Sequence, residues 1–350
     1  MFSRTSISSC LSSSITNAWS VRLAGLAAVA IVAASCGGSS PEPGFADVDG
    51  GPSRGGSGGG SGGSGSGGGS GSSSGGLVGD SGSGTNGPSF IYAHTDSELY
   101  SMDPNTHQVT DIGPFSVGGG NTPTITDLAV DGSGNVYVNS ETAIYRAAIP
   151  SGTGTVSLTL QTQLPSGSKF YALGFTPAGA LEPGESLIAG DSAGNLYYID
   201  TSGASATPQN LGGFGGTWEL SGDVVFFSAG GATIGLATIR QCSGSCNTHN
   251  DSLAEIDMSA LASAYGNHAP SSTLLKQLLG TGTTFGDLFG IGAWGNSVYA
   301  FSREQGSTPA QLVQIGPSGV GMSLQMFPNI TSGWSGAGVT TKAPVTIVTQ

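Results

Sequence analysis

The pattern of apolar and polar positions changes at about residue 90. From there onward, short runs alternate apolar and polar residues with a period of two, which predicts half-buried β-strands. Residues 126–150 contain three such runs, centred near Leu128, Val136 and Ile144. The first two runs are separated by Asp131-Gly-Ser-Gly-Asn135, whose glycines can take the positive φ angles of a tight reversal. The stretch therefore predicts three consecutive strands with the chain reversing between them.

This three-strand unit recurs along the chain. Five similar segments, 45 to 59 residues apart, begin at Leu99, Ile144, Leu196, Leu253 and Leu312. Each follows another strand-like run, and every copy except the first has a further leading run in front of it. A spare leading run stands near the C-terminus, at 334–341. Pairing of that run with the first copy would close a ring of sheets and leave no long unpaired edge.

The segments DGSGNVYV (131–138) and ELYSMDPNT (98–106) resemble β-propellers of the broad YVTN, NHL and quinoprotein-like group. The resemblance covers residues 90–350 and implies an all-β domain of four-stranded blades whose first strands line a central channel. We expect five blades from the repeat count, or six if the run 345–349 belongs to another blade. The same fold serves lactonases, dehydrogenases and passive binding modules, so the resemblance does not choose an activity.

Residues 1–35 are predicted to be a lipoprotein signal peptide. Arg4 and Arg22 precede an apolar run at 23–34, which is too short to span a bilayer. The run ends in Ala-Ala-Ser-Cys36, which resembles a bacterial lipobox, so Cys36 is expected to carry palmitate and anchor the exported protein to the cell envelope. Gly37 favours the outer membrane by resemblance to the sorting rule for this position. An ordinary signal peptide cut near Ser35, with Cys36 incidental, is the alternative.

Residues 36–89 are predicted to be a disordered Gly/Ser-rich tether. The chain contains 62 glycines and only 9% charged residues, and much of that glycine lies in this tract. Without apolar periodicity the tract cannot bury enough surface to offset the entropy of ordering. Random-coil scaling gives it a reach of about 40 Å.

The charge balance excludes one class of partner. The formal net charge is -13, and residues 36–350 keep all 22 acidic residues but only seven of the nine basic ones, which gives -15. Because these few basic residues are scattered along the chain, they could not neutralise the phosphates of a nucleic acid. No nucleic-acid partner is therefore expected. The expected partners are the membrane, through the lipid anchor, and a protein or glycan on the propeller face.

The cysteines in the repeat region are Cys242 and Cys246. In an exported protein they are expected to form a small-loop disulfide. A zinc site is the alternative, with His249, Asp251 or His268 as the nearby ligands.

Three aspartates are candidate metal ligands, because Asp127, Asp223 and Asp287 stand at or next to the start of predicted channel-lining strands. A ring of carboxylates at the channel mouth could bind a divalent cation. Lactonase-type propellers, by resemblance, hold a channel metal, but their Glu- and Asn-rich set is not found at matching positions here. The preferred interpretation is that these aspartates cap strand starts by binding backbone N–H groups.

No set of catalytic or cofactor-binding residues is apparent. There is no Gly-x-Ser-x-Gly elbow and no heme-attachment motif, and the four histidines lie in turn-like contexts. His94 could face the channel mouth, but a solvated loop position is preferred. Trp218, Trp294 and Trp334 could line a groove, although packing between blades is preferred. The sequence therefore favours a non-enzymatic binding or scaffold module at the cell envelope, with a metal-dependent hydrolase or lactonase as the alternative.

Overall fold

A computed structural model of the chain describes residues 90–242, 246, 251–280, 287–303, 309–330 and 333–346. The signal peptide, the tether and the lipidated Cys36 predicted from the sequence lie outside the described residues. The predicted domain boundaries at 35/36 and 89/90 therefore stay predictions.

Within these ranges the chain forms twenty β-strands and one α-helix, most of them joined by short turns. In chain order they are β1 (Ile91–His94), β2 (Glu98–Met102), β3 (Val109–Ser116), β4 (Asp127–Val130), β5 (Val136–Asn139), β6 (Ala143–Ala148), β7 (Val156–Gln163), β8 (Phe170–Thr176), β9 (Ser186–Asp191), β10 (Asn195–Asp200), β11 (Thr207–Gly213), β12 (Trp218–Ala229), β13 (Ala232–Gln241), β14 (Ser252–Ile256), α1 (Met258–Asn267), β15 (Leu275–Gly280), β16 (Leu288–Trp294), β17 (Ser297–Ser302), β18 (Ala310–Ile315), β19 (Gly321–Phe327) and β20 (Gly336–Val339).

The strands form five antiparallel four-stranded blades. From the innermost strand outward, the blades are β20-β1-β2-β3, β4-β5-β6-β7, β8-β9-β10-β11, β12-β13-β14-β15 and β16-β17-β18-β19. The outer strands β3 and β7 also pair in parallel over two residues, which joins the first two blades into one eight-stranded sheet. The fold is a five-bladed β-propeller. The prediction of an all-β propeller with five blades is confirmed. Of the run 345–349 considered for a sixth blade, Val345 makes an isolated bridge to Gly295, and residues 347–349 lie outside the described ranges.

The C-terminal strand closes the ring. β20 pairs antiparallel with β1, with Gly336 opposite His94 and Val339 opposite Ile91. A strand near the end of the chain thus becomes the innermost strand of the first blade, as the spare leading run predicted.

Small residues let the innermost strands approach each other. All four residues of β20 (Gly-Ala-Gly-Val) are buried. A Cβ on Gly338 would lie 2.7 Å from Leu128 Cδ1, and one on Gly290 would lie 2.5 Å from the Ala337 nitrogen. Because five strands converge on one axis, side chains at these positions would push neighbouring blades apart.

Trp334 fills the junction between the last blade and the first. Its side chain is fully buried, and its ring makes edge-on contacts with Tyr100, Phe301 and Phe327 at centroid distances of 5.0, 5.2 and 5.1 Å. The packing role preferred for Trp334 is confirmed. Trp218 and Trp294 are only partly buried and pack against two different core clusters.

The helix α1 was not predicted. Its N-cap Asp257 accepts hydrogen bonds from the backbone N–H of Ser259 and Ala260, at 3.0 and 2.9 Å. Leu261 and Ala264 form its buried face, and Gln209 of β11 donates to the Tyr265 carbonyl at 2.9 Å. The helix thus covers the outer strand of the third blade. Among the described residues, no helix is long and apolar enough to cross a membrane.

Candidate functional site

A cavity of about 740 Å³ opens at the end of the propeller where the innermost strands begin. Residues at or near the start of β4, β8, β12, β16 and β20 line it, together with loops that follow β1, β5, β9 and β17. The lining residues are Asp96, Pro123, Thr124, Ile125, Thr126, Ser140, Glu141, Thr142, Tyr171, Ser192, Leu220, Ser221, Gly222, Phe289, Arg303 and Ser335. All five blades contribute, so the cavity exists only because the ring is closed.

Arg303 is held rigidly in the wall of this cavity. Its Nε donates to the Trp334 carbonyl and its Nη2 donates to Ser335 Oγ, both at 3.0 Å. The guanidinium lies 4.4 Å from the centroid of the Phe289 ring and 3.5 Å from Asp96 Oδ1. Ser335 Oγ also donates to Asp96 at 2.5 Å. A guanidinium fixed in this way needs little ordering when a ligand arrives.

Hydroxyl groups dominate the rest of the lining. The Oγ of Ser221 is buried and has no hydrogen-bond partner among the described residues. The Tyr171 hydroxyl donates to Glu141 at 3.4 Å, and Glu141 is also 3.4 Å from the exposed Lys169 ammonium. The wall thus offers donors and acceptors in several directions with only a small net charge.

Two aspartates lie one residue beyond the lining, directly after Thr126 and Gly222. Asp127 and Asp223 are both fully buried. Asp127 Oδ2 accepts from the Leu173 N–H at 2.5 Å, and Asp223 Oδ2 accepts from the Ile291 N–H at 2.9 Å, and each donor lies in the next blade. Asp223 Oδ1 accepts from its neighbour Val224 at 2.6 Å. Three of the four carboxyl oxygens therefore bind backbone N–H groups.

The two carboxyl groups also interact with each other. Burial raises the pKa of both, well above the ordinary range of an aspartate, and the negative charge of Asp223 raises the pKa of Asp127 further. Burial and the neighbouring carboxyl group therefore both disfavour ionisation of Asp127.

His94 is fully buried beside this pair, so the solvated loop position preferred from the sequence is wrong. Its Nδ1 lies 2.7 Å from the Thr95 carbonyl, which places the proton on Nδ1 and leaves a lone pair on Nε2. Burial lowers its pKa to about 4, so the ring is neutral at pH 7. Nε2 faces Asp127 Oδ1 at 3.9 Å, and neither atom has a hydrogen-bond partner among the described residues.

Gly336 closes the space beside these two atoms. A Cβ at this position would lie 2.5 Å from His94 Nε2 and would collide with Asp127 Oδ1. The sequence signal for this burial was the apolar run Ile91-Tyr-Ala before His94. All four residues of β1 are buried in the structure.

Asp287 belongs to a different cluster. Its Oδ1 accepts from Arg240 Nη2 at 2.7 Å, and Arg240 Nε donates to Asp251 Oδ1 at 2.9 Å. Asp251 in turn accepts from the Leu288 N–H at 2.6 Å. Within the described ranges the three candidate aspartates do not form one set of metal ligands. They were grouped by their place in the repeat, but that place does not determine which side chains meet.

The Asp-to-Asn loops of the repeat are turns. Asp131 Oδ1 accepts from the N–H of Ser133 and Asn135 at 2.8 and 2.9 Å, and Gly134 has a φ of 80°. The loop from Asp191 repeats this arrangement. Side-chain-to-backbone bonding of this kind accounts for the tight reversal predicted at Asp131–Asn135 and for the similar turn at Asp191–Asn195.

Cys242 and Cys246 form a disulfide after the end of β13. Of the zinc ligands considered as the alternative, His268 is the C-cap of α1 and Asp251 binds Arg240, while His249 lies outside the described residues. A carboxylate that the sequence did not suggest, that of Glu219 on β12, lies 3.1 Å from Cys246 Sγ.

Comparison with known proteins finds only distant structural matches. No protein-family model and no curated protein matches the sequence. Among solved structures, the chain is similar to a protein of unknown function from Bacteroides caccae, at 10% identity and a TM-score of 0.42, covering 72% of this chain and 98% of that one. It is also similar to a β-propeller domain from Myceliophteria thermophila, at 11% identity and a TM-score of 0.35, covering 69% and 84%. A structure solved as a gluconolactonase matches at 9% identity and a TM-score of 0.35, covering 66% and 71%.

Proposed function

We propose that this protein is an exported lipoprotein whose Gly/Ser-rich tether presents the propeller as a non-enzymatic binding module at the bacterial cell envelope. Cys36 is the acylated anchor in this proposal, and the outer membrane is the expected location. The lipobox-like run before Cys36 and the tether composition support the anchoring half of the proposal.

The cavity at the channel mouth is the proposed ligand site. Its volume lies in the range of ligand pockets, and it gathers polar groups from all five blades. The observation that carries the proposal is the fixed Arg303 beside Asp96 and Ser335. Ser221 in the same lining adds a buried hydroxyl without a hydrogen-bond partner among the described residues. Hydroxyl groups and paired charges of this kind suit a ligand rich in both donors and acceptors, such as a glycan or a polar protein loop.

The alternative is a hydrolase or lactonase with a divalent cation in the channel. The observation that favours it is the pair of facing atoms His94 Nε2 and Asp127 Oδ1. The other oxygens of Asp127 and Asp223 already bind backbone N–H groups, and Gly336 crowds the two facing atoms, so the residues fit a cation poorly. Elemental analysis of the purified protein with the Cys242–Cys246 disulfide intact separates the two functions, because stoichiometric metal in that form is expected only for the hydrolase.

Ligand capture by the mature protein tests the binding proposal. An immobilised parent protein is screened against a glycan array and against envelope extracts, alongside Arg303→Gln and the control Arg146→Gln. Arg146 is exposed and donates to Asn135 in a repeat turn, away from the cavity lining. We expect Arg303→Gln to lose ligands that Arg146→Gln retains. Identical capture by all three proteins would exclude the cavity as the ligand site.

Palmitate labelling tests the anchor separately. The parent protein is expected to incorporate labelled palmitate and to sediment with membranes, and Cys36→Ala is expected to do neither. An unlabelled parent, together with a membrane-bound Cys36→Ala protein, would contradict the lipoprotein assignment.

A further inference from the structure

Three metal-ligating side chains meet in the fourth blade, where β12 begins and β13 ends, and none of them is among the residues that line the channel cavity. Cys242 and Cys246 form the disulfide that follows β13, with Cα atoms 4.7 Å apart. Glu219 is the second residue of β12, the neighbouring strand, and its Oε2 lies 3.1 Å from Cys246 Sγ. A sulfur from each cysteine and a carboxylate oxygen of Glu219 all lie within 4.8 Å of one another.

The carboxylate contact is unusual for a disulfide. A disulfide sulfur has no hydrogen to donate, so the approach of Glu219 to Cys246 Sγ is not a hydrogen bond in the oxidised protein. A thiol at the same position would donate to the carboxylate. The contact therefore suits the reduced form of the cysteine pair better than the oxidised form.

Glu219 makes no ion pair with the basic residue that lies opposite it in the neighbouring strand. Its cross-strand partner in the β12–β13 pairing is Arg240. The Arg240 guanidinium is directed instead to Asp251 and Asp287, at 2.9 and 2.7 Å. The Glu219 carboxylate lies 3.1 Å from Cys246 Sγ, and it has no ion-pair partner within the described ranges. The half-buried Glu219 carboxylate beside two sulfurs is therefore able to bind a different cation.

We propose that Glu219, Cys242 and Cys246 form a redox-gated binding site for a thiophilic divalent cation of the Zn²⁺ type. A dithiol reductant transfers two electrons and two protons to the disulfide, the S–S bond breaks, and the reductant closes into its own disulfide. The cation then displaces one proton from each thiol and binds two thiolates and the Glu219 carboxylate. Water completes a tetrahedral site, and oxidation of the two thiolates by a disulfide oxidant releases the cation.

Cadmium binding by the full chain tests this site, because Cd²⁺ shares the thiolate preference and gives a near-ultraviolet thiolate-to-metal absorption band. All proteins carry Cys10→Ser and Cys36→Ser, so that Cys242 and Cys246 are the remaining thiols. Each protein is titrated with Cd²⁺ after dithiol reduction and, separately, in the oxidised form. Equilibrium dialysis gives the stoichiometry, and competition with Zn²⁺ gives the relative affinity.

We expect one Cd²⁺ per reduced chain and none bound by the oxidised chain under the same conditions. Glu219→Gln should weaken binding by roughly tenfold or more, since it removes a charged ligand. Glu141→Gln, a carboxylate in the channel cavity, should leave the affinity unchanged. Cys246→Ser should abolish the absorption band, and circular dichroism establishes that each variant is folded.

Three results would overturn the proposal. One is a reduced protein without the absorption band, and another is an oxidised protein that binds as well as the reduced one. The third is equal weakening by Glu219→Gln and Glu141→Gln, which would assign the effect to general charge rather than to a ligand.

Discussion

Replacement of Trp334 should destabilise the closure of the ring more than replacement of a tryptophan that is only partly buried. The side chain is fully buried between Tyr100 of the first blade and Phe301 and Phe327 of the fifth. Two residues later, β20 begins and pairs with β1. Truncation to alanine therefore leaves a cavity at the point where the two ends of the fold meet.

The expected cost follows from this burial. Trp→Ala changes in protein cores cost about 3–5 kcal/mol, which includes the cavity term, against a total stability of roughly 5–15 kcal/mol for a typical domain. For a domain of this size the loss corresponds to a fall in Tm of about 10 °C. Trp334→Phe should recover much of the loss, because the buried indole Nε1 has no partner among the described residues and phenylalanine removes that donor.

Urea and thermal unfolding of the mature protein measure these differences. Trp294→Ala is the matched control, since Trp294 ends β16 in the fifth blade but is only partly buried. Its cost should be clearly smaller. Hydrogen exchange should show that β1 and β20 amides lose protection first in Trp334→Ala. The reasoning fails if Trp334→Ala costs no more than Trp294→Ala, or if Trp334→Phe is as damaging as the alanine variant.

Three further changes test the channel and the helix. Because burial raises the folded-state pKa of Asp127, the folded protein holds a proton that the unfolded chain has lost. The contribution of Asp127 to stability should therefore be greatest below about pH 4 and fall by about 1.4 kcal/mol per pH unit up to the folded pKa, opposite in sign to the contribution of His94, whose pKa is lowered. Urea unfolding across that range should show a less negative slope of stability against pH for Asp127→Asn than for the parent. Gly336→Ala should cost about 1–3 kcal/mol through overpacking, whereas Gly316→Ala, with open space around it, should not destabilise. Asp257→Ala should cost about 1 kcal/mol through loss of the N-cap of α1.

Each of these has a result that would contradict it. Parallel pH profiles for the parent and Asp127→Asn would show that this carboxyl does not hold the extra proton. Equal stabilities of Gly336→Ala and Gly316→Ala would show that the channel wall has room beside His94. An unchanged unfolding midpoint for Asp257→Ala would show that α1 does not contribute to the cooperative unit.

Much of the blade architecture could be predicted because its signals are local. Period-two patterning located the inner strands, and the Asp-to-Asn loops located the turns, since both depend on residues close in the chain. The spare leading run at 334–341 indicated that the C-terminal strand closes the ring. The outer strands β3, β7, β11, β15 and β19 were not located individually, because their exposed faces weaken the apolar alternation. The helix α1 was missed although Asp257 is a typical N-cap.

The sequence by itself determined the repeat, the number of blades and the strand that closes the ring. Only the tertiary structure decided which polar side chains meet. Asp127 and Asp223 are fully buried in the channel wall, where Asp127 faces His94, while Asp287 binds Arg240, although all three aspartates occupy similar places in the repeat. The contact between Glu219 and the disulfide was likewise decided by the tertiary structure. These groupings depend on how strands from different blades converge and on small backbone shifts such as the register break between Leu220 and Val224. A local pattern records neither, because both arise from contacts between residues far apart in the chain.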